Sequence, residues 1–389
     1  MPKRILHFRG SSSLLGAERV VLELAQWSPT FGYEPLIVAP NERDAPTPEF
    51  ISAARSAGID AMTLPCDGRL DWHLLRQLRQ LVRRQGIDII HCHGYKEDVH
   101  AALAGLGIPL IATNHLWKRT TRALRLYCWL DGLILRRFDE IIAVSDPILD
   151  DMRQCSVPEA KLSKIANGID MRRFETPLQP AERAAVRAGL GLEADAVVVG
   201  MLSSLTPEKG HAFALDAMTI LAAEFPQVQL CIVGDGGLGE SLRARVRSVG
   251  LESRIIFAGR RSDIPQVLGS FDVFVLPSLN EGLPMALLEA MAAGLPAVAS
   301  EVGDVGQAIE DGVSGRLVPP GSSPDLLNAL RPLVASAELR RRLGDGARRR
   351  VAKHFSSRAM TEAYCRIYDH ALHASGETEV ETEPLEREA

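Results

Sequence analysis

The segment NEGLPMALLEAMAAGLPAVAS at residues 280–300 follows the apolar run DVFVLPS at residues 272–278. The apolar run predicts a buried strand, and MALLEAMAA consists of strong helix formers. Pro284 suits the first helical position, where a missing N–H is not needed, and Gly294 suits the end of the helix. The segment therefore predicts a helix whose N-terminus lies at the carboxyl edge of a sheet, where α/β folds bind anions and nucleotides.

Two carboxylates flank the start of this helix. Glu281 precedes it, and Glu289 lies five residues beyond Pro284, about 7.5 Å along a helix axis. An anion held by the backbone between Gly282 and Met285 would leave Glu289 beside an attached sugar, and carboxylates commonly bind ribose hydroxyls. Taken alone, the pair is also typical of solvated glutamates on a surface helix.

Short apolar runs alternate with helical patterns through nearly the whole chain, which is typical of parallel sheets with helices on both faces. The periodicity lapses near residues 170–182, so the sequence predicts two α/β domains. The predicted boundaries are 1–175 for the N-terminal domain, 176–355 for the C-terminal domain, 356–374 for a final helix, and 375–389 for an acidic, disordered tail.

Length and composition agree with a two-domain globular enzyme. The chain has 389 residues and a formal net charge of −5, which gives no global nucleic-acid signature. No segment resembles a signal peptide or a membrane-spanning run. Six cysteines are scattered without C-x-x-C spacing, a pattern that favours reduced thiols and a cytoplasmic location.

Two further strand-to-helix connections in the second half carry residues suited to phosphate. Lys209 and Gly210 follow the run GMLSSLTPE, where a lysine can act as a point charge and a glycine allows close backbone approach. Gly234, together with Gly236 and Gly239, forms a literal G-x-G-x-x-G. A dinucleotide site also needs an acid after the next strand, and Arg260 and Arg261 stand there instead. An NADP site therefore stays open as an alternative.

The first half carries its own candidates at strand ends. Gly16 precedes a predicted helix, so a ligand could approach that N-terminus. His91, His93 and His115 end two predicted strands, where catalytic loops begin in such sheets. A metal site from these histidines is disfavoured, because no carboxylate shares their spacing.

The segment 116–138 mixes five arginines and a lysine with Trp117, Trp129 and several leucines. Such a composition suits an anionic membrane surface. An ordinary amphipathic helix, with one apolar face in the core and its arginines in solvent, would have the same composition.

Taken together, these motifs resemble glycosyltransferase family 4. EGLPMALLE matches the E-x7-E signature of that family, and GDGG, FAGRR, VLPSLNEG, AGLPAVAS, DGVSGRLVP and the interdomain NGID match in register. The resemblance covers nearly residues 3–370. It implies an α/β GT-B fold of two Rossmann-like domains facing a cleft, with the C-terminal helix crossing back to the N-terminal domain.

The resemblance also implies a function. A retaining enzyme would move a sugar from a nucleotide-diphosphate sugar to a hydroxyl of a sugar or lipid-linked acceptor, in cell-envelope polysaccharide or glycolipid synthesis. It would act in the cytoplasm or on the inner face of the membrane, with no nucleic-acid partner. Because no D-x-D motif occurs, no metal or other cofactor is expected.

Site residues follow from the same resemblance. Glu281 would contact the donor sugar, Lys209 its pyrophosphate, and His115 the neighbourhood of the transferred sugar, which makes these three the catalytic candidates. Glu289 would bind the ribose. The remaining donor-binding candidates are Gly282, Leu283, Pro284, Gly16, Ser204, Gly234 and Arg260.

Two departures from the family pattern stand out. Ser204 occupies a position where the family usually has an arginine, so one phosphate contact must come from Lys209, backbone amides or Arg260. GDVGQ at residues 303–307 replaces the usual GG-x-P-E loop. A catalytically impaired GT-B protein with a binding role is therefore an alternative, beside the NADP-dependent oxidoreductase.

Overall fold

The computed structural model describes residues 2–14, 16–68, 70–115, 129, 131–155 and 157–380, with only the backbone for 375–380. The chain divides into two compact units. The first comprises Met1–Gly168 with Ser357–Ala389, and the second comprises Ile169–Ser356. The division follows the Asn-Gly turn at 167–168, earlier than the predicted boundary at residue 175.

A seven-stranded parallel sheet forms the centre of the first unit, in the order β3-β2-β1-β4-β5-β6-β7. Its strands are β1 (Lys3–Phe8), β2 (Tyr33–Asn41), β3 (Asp60–Pro65), β4 (Ile89–Cys92), β5 (Leu110–Asn114), β6 (Glu140–Ala143) and β7 (Leu162–Lys164). Helices with bounds inside the described ranges before the second unit include α1 (Gly16–Trp27), α2 (Glu49–Ser56), α3 (Trp72–Gln85), α4 (Tyr95–Ala104) and α5 (Asp146–Gln154), with short 3-10 turns at Ser28–Phe31 and Glu159–Lys161.

The sequence explains these elements locally. In α3, the Asp71 side chain accepts the N–H of His73 at 2.7 Å and caps the helix, and Gly86 ends it with φ of 58°. Apolar residues recur at helical spacing along α3 and are buried. The strands read as continuous apolar runs because helices cover both faces of the sheet.

The second unit repeats the same order with six parallel strands, β10-β9-β8-β11-β12-β13. Its strands are β8 (Val197–Leu202), β9 (Val228–Val233), β10 (Ile255–Gly259), β11 (Val273–Leu276), β12 (Ala297–Ser300) and β13 (Gly315–Val318). Its helices are α6 (Pro180–Leu190), α7 (His211–Glu224), α8 (Gly239–Ser248), α9 (Ile264–Gly269), α10 (Met285–Ala292), α11 (Val305–Ala308), α12 (Ser323–Ala335) and α13 (Ala337–His354), with 3-10 turns at Met171–Phe174 and Pro207–Lys209. Both sheets therefore have the doubly wound topology predicted from the alternation of runs.

The last helix, α14 (Ser357–Val380), returns to the first unit. Met360, Tyr364 and Tyr368 are buried there against Ile5 of β1 and Ile89 of β4. The predicted return of the C-terminal helix is confirmed. The helix continues through 375–380, which the sequence assigned to a disordered tail, and residues 381–389 lie outside the described part of the chain.

No helix within the described residues is both long enough and apolar enough to cross a membrane.

Candidate active site

The order of the second sheet reverses direction between β8 and β11. In open α/β sheets, ligands bind beyond the carboxyl ends of the two strands at such a switch point. The loop after β8 carries Lys209, and the loop after β11 carries Glu281. The two predicted catalytic residues therefore start from adjacent strand ends.

Backbone contacts hold these two loops together. The N–H of Leu279 donates to the carbonyl of Glu208 at 2.8 Å. Gly210 has φ of 67°, and a Cβ at this position would overlap the carbonyl oxygen of Pro277. The chain thus needs a glycine here both for the left-handed backbone and for the close approach. This contact fixes Lys209 beside the β11 loop.

Lys209 and Glu281 form a close ion pair. The Lys209 Nζ lies 2.8 Å from one carboxylate oxygen of Glu281 and 2.9 Å from the other. The hydroxyl of Ser278 donates to the same carboxylate at 2.7 Å. The side chain of Glu281 is only 8% exposed, compared with 22% for Lys209. An ammonium group has three N–H donors, so one donor of Lys209 remains for a further acceptor such as a phosphate oxygen.

The helix α10 begins at Met285, with Pro284 as its N-cap residue rather than its first helical residue. Proline has no N–H, so Pro284 cannot donate to an anion, and any backbone donors must come from Gly282, Leu283 and the first turn of α10. The loop that departs from the family pattern supports this turn, because the N–H of Asp304 donates to the carbonyl of Gly282 at 3.0 Å.

Glu289 is buried on α10 at 8% exposure. Its carboxylate lies 3.4 Å from a guanidinium nitrogen of Arg173, a residue of the 3-10 turn that follows the NGID segment. Arg173 was not among the residues predicted from the sequence. Its signal is weak, since the residue is one of two adjacent arginines, and only the fold shows which of the two faces Glu289.

A pocket of about 540 Å³ adjoins the switch point at the carboxyl ends of β8, β9 and β10. It brings together three of the predicted donor-binding residues, Ser204, Gly234 and Arg260. Its full lining is Leu202, Ser203, Ser204, Val233, Gly234, Asp235, Gly236, Arg260 and Arg261.

The two arginines of this pocket differ in their partners. Arg261 forms a bidentate pair with Asp263 at 2.7 and 2.8 Å. Arg260 has no ion-pair partner in the described part of the chain. Arg260 is therefore the cation of this pocket that is available to an anionic ligand.

Gly234 has a structural reason to be glycine. Its φ is 142°, and a Cβ there would overlap the carbonyl oxygen of Ser203. The glycine loop thus packs against the loop after β8, with the N–H of Leu205 donating to the carbonyl of Asp235 at 3.0 Å. Close packing explains the G-x-G-x-x-G without a dinucleotide.

The first unit has its own switch point, between β1 and β4. Arg9 lies there and donates to Glu18 at 2.8 and 2.9 Å and to the carbonyl of His93. Glu97 accepts the N–H of Gly10 at 2.8 Å. Burial raises the pKa of Glu97. Arg9, Gly10 and Glu97 were all missed from the sequence.

The predicted ligand approach at Gly16 remains a prediction, and the structure leaves open space there. Gly16 begins α1, and a Cβ there would meet no atom within 4 Å. Close approach occurs at Gly10 and Gly94 instead, where a Cβ would lie 2.6 Å and 2.5 Å from carboxylate oxygens of Glu97. The backbone is therefore crowded at the strand ends and open at the helix start.

His115 lies just beyond β5, beside His93, with ring centroids 5.5 Å apart. Three of the described histidines, His7, His91 and His93, place ring nitrogens within 4.8 Å of one another. Both nitrogens of His91 already have partners, the hydroxyls of Tyr368 at 2.8 Å and Thr113 at 2.7 Å. The donor set therefore does not fit a metal ion.

Most of the segment 116–138 lies outside the described residues. In the part that is described, Trp129 is 50% exposed and Leu133 is 38% exposed, whereas Leu135 and Phe138 are buried.

Comparison with known proteins agrees with this architecture. Residues 15–173 match the family model "Glycosyltransferase Family 4", and residues 182–350 match "Glycosyl transferases group 1". The D-inositol 3-phosphate glycosyltransferase of Saccharomonospora viridis is 30% identical over 76% of this chain and 72% of its own length. The UDP-Gal:alpha-D-GlcNAc-diphosphoundecaprenol alpha-1,3-galactosyltransferase of Escherichia coli is 26% identical over 84% of this chain and 87% of its own length.

Among solved structures, Anabaena HepE in complex with UDP has a similar fold. It is 24% identical and has a TM-score of 0.80, over 94% of this chain and 100% of that one. Neither the oxidoreductase nor the non-catalytic alternative is favoured by these relatives, which are glycosyltransferases. The chain belongs to glycosyltransferase family 4, and it is a glycosyltransferase with the GT-B fold.

Proposed function

We propose that the second unit binds a nucleotide-diphosphate sugar at its switch point and that the enzyme transfers the sugar, with retention of configuration, to a hydroxyl acceptor. The observation that carries this proposal is the Lys209–Glu281 ion pair. It lies beside the pocket of about 540 Å³, on two loops that contact each other through their backbones. In this assignment the pocket takes the nucleotide, Glu289 takes its ribose, and Glu281 takes the donor sugar.

The chemistry required is the stabilisation of a leaving diphosphate, which gains negative charge as the glycosidic bond breaks. The remaining N–H donor of Lys209 and the N-terminus of α10 supply fixed positive charge. Because Glu281 holds Lys209 in place before the donor arrives, little reorganisation is needed during the reaction. We propose that this arrangement works without a metal ion.

Ser204 removes a cation that the family pattern supplies. Its hydroxyl lies 3.3 Å from that of Thr206 and is exposed in the pocket, so it offers a neutral hydrogen bond only. Arg260 lines the same pocket. We therefore assign the compensating phosphate contact to Arg260.

We assign the acceptor to the N-terminal domain, which the sequence predicted as residues 1–175. The E. coli relative is named for a UDP-galactose donor and a lipid diphosphate acceptor, and related structures contain UDP and UDP-glucose. On this basis a uridine donor and a sugar or lipid-linked sugar acceptor in envelope polysaccharide or glycolipid synthesis are the first to test. The basic, tryptophan-containing segment 116–138 supports peripheral association with the cytoplasmic face of the membrane.

The test is direct. Purified enzyme is incubated with a panel of nucleotide sugars and acceptors, and nucleoside diphosphate release and glycoside formation are measured with and without EDTA. We expect turnover with one donor, and the glycosidic bond of the product should have the same anomeric configuration as that donor. EDTA should not lower the rate. Absence of turnover with every donor would contradict the enzymatic assignment, and loss of rate restored by magnesium or manganese would contradict metal independence.

A further inference from the structure

We infer that His115, His93 and His7 form one hydrogen-bonded chain that keeps His115 neutral and lets its free ring nitrogen act as donor or acceptor. His93 and His7 are then positioning residues for His115. The inference rests on the proposed role of His115 near the transferred sugar, and it assigns to that residue hydrogen bonding rather than general-base catalysis.

The geometry places the three rings in sequence. The His115 Nε2 lies 3.3 Å from the His93 Nδ1, and the His93 Nε2 lies 3.2 Å from the His7 Nδ1. The rings of His93 and His115 are stacked at an interplanar angle of 26°. The nitrogens at the two ends, Nδ1 of His115 and Nε2 of His7, are buried and have no hydrogen-bond partner.

Counting protons defines what such a chain can do. Three neutral imidazoles carry three N–H protons, and two of these are used in the two ring-to-ring hydrogen bonds. The third proton must lie at one end of the chain. When this proton lies on the Nε2 of His7, the Nδ1 of His115 has a lone pair and can accept a hydrogen bond. When all three rings adopt the other tautomer, the proton lies on the Nδ1 of His115, which can then donate. Both arrangements have zero net charge.

A positive charge on the chain is disfavoured by its surroundings. His7 is fully buried and His93 is 2% exposed. Burial lowers the pKa of His7 and of His115 to about 3 and the pKa of His93 well below its usual value. Among the described residues, the titratable groups that act on the chain are Arg9 after β1, Glu18 on α1 and His91 on β4. Glu97 contacts Gly10 instead, and Tyr364 and Tyr368 contact His91.

Among these groups, the Arg9 guanidinium opposes protonation of both His93 and His115, and Glu18 favours protonation of His115. The carboxylate of Glu18 is itself paired with Arg9 at 2.8 Å. A proton accepted by His115 therefore has no stable position along the chain, since its far end is a buried nitrogen without a partner.

This neutrality suits the reaction. Glycosyl transfer passes through a transition state with positive charge on the sugar, which a nearby imidazolium would repel. A sugar hydroxyl is both donor and acceptor. A neutral His115 adds no positive charge beside the sugar, and its unpartnered Nδ1 has one hydrogen bond to offer, as donor or as acceptor.

The test combines nitrogen NMR of the histidine rings with kinetics, in the full-length protein labelled at histidine. We expect the rings of His7, His93 and His115 to stay neutral from pH 8 to pH 5. His7→Phe, which removes the partner of His93, should change the tautomer balance of His115 and lower kcat about tenfold with little change in donor KM. His7→Asn, which places an amide near the position of the His7 Nδ1, should retain most of the wild-type tautomer balance of His115 and most of kcat.

His100→Asn is the matched control, because His100 is buried outside the chain, with Asp71 and Lys96 as its partners. It should leave the three rings unchanged. Titration of any of the three rings between pH 8 and pH 5 would overturn the inference, as would unaltered His115 resonances and kcat in His7→Phe. Full activity of His115→Ala would instead overturn the proposed role of His115 in catalysis, whatever the NMR spectra show.

Discussion

Lys209 and Glu281 neutralise each other in a nearly buried environment, and this pairing sets what each can do for a substrate. Removing one partner leaves the other charge poorly solvated, which costs more than the pair itself contributes. The two glutamates differ in their ion-pair partners, because Glu281 is paired with Lys209 and Glu289 with Arg173.

Glu281→Gln should impair turnover, whereas Glu289→Ala should weaken donor binding. A hydrogen bond to a charged group typically contributes about 1.5–3 kcal/mol, so each loss should be about 10- to 100-fold. Steady-state kinetics with a saturating acceptor separates kcat from donor KM. Wild-type values of both constants in both variants would refute these roles.

The contact between Arg173 and Glu289 can be tested by substitution. Its guanidinium restrains the carboxylate of Glu289, so Arg173→Ala should raise the donor KM about threefold with kcat nearly unchanged, the small size reflecting a long and partly exposed pair. Arg172→Ala is the control, because Arg172 pairs with Asp170 in the same turn. Equal effects of the two substitutions would show that the turn, rather than the contact with Glu289, is responsible.

At the scale of elements, the site depends on how two strand-to-helix loops meet. Gly210 is one residue at which they meet, because a Cβ added there would overlap the carbonyl oxygen of Pro277. The sequence predicted that Gly210 would let the backbone approach a phosphate. It could not show that Gly210 also lies against the backbone of the loop that carries Glu281.

Gly210→Ala should lower both stability and activity. Gly250 has the same φ of 67° but no atom within 4 Å of an added Cβ, so Gly250→Ala pays only the left-handed strain of about 1–2 kcal/mol. The difference in unfolding free energy between the two variants therefore isolates the collision. Gly210→Ala should have the lower free energy of unfolding and the lower kcat/KM of the two variants. Equal values in the two variants would contradict the close contact between the loops at Gly210.

The elements themselves were largely predictable. Apolar runs alternating with helical patterns identified both parallel sheets, and Pro284 and Gly294 bracketed α10 closely. The close approaches were not predictable, because which glycine lies against which carbonyl depends on neighbours distant in sequence. The crowded positions Gly10 and Gly94, and the open position Gly16, could be distinguished only once Glu97 was placed.

At the scale of the molecule, each unit presents a switch point, and His7 and His91 of the first unit lie on one face of its sheet. His7 pairs with His91 in register, and His91 with Ile111, so the odd-numbered positions of β1, β4 and β5 are neighbours. The alternation predicted that His91 and His93 share a face. It could not include His7, since strand order is a tertiary property.

Two buried carboxyls make the stability of the first unit depend on pH. Asp98 and Asp131 are 3% and 4% exposed, and burial raises the pKa of Asp131 to about 7 and that of Asp98 well above its usual value. Between about pH 4 and pH 7 the unfolded chain loses its proton from Asp131 while the folded chain keeps it. The free energy of unfolding must therefore fall as pH rises through this window.

Asp131→Asn mimics the protonated carboxyl and removes its titration. Thermal unfolding should show a higher Tm for the variant than for the wild type, by an amount that grows from pH 5 to pH 8, because the wild type loses stability as pH rises through this window and the variant does not. Asp44→Asn, at an exposed position, should track the wild type at both pH values. A constant difference between Asp131→Asn and the wild type across this range would contradict the raised pKa.

Calorimetric titration with nucleoside diphosphates measures whether a donor diphosphate binds beside Lys209 and Glu281. One of UDP, GDP and ADP should bind the wild type. Lys209→Ala should weaken that binding about 10- to 100-fold, while Lys353→Ala, at an exposed position on α13, should not change it. Binding of none of the three, or equal affinity in the wild type and Lys209→Ala, would contradict the account.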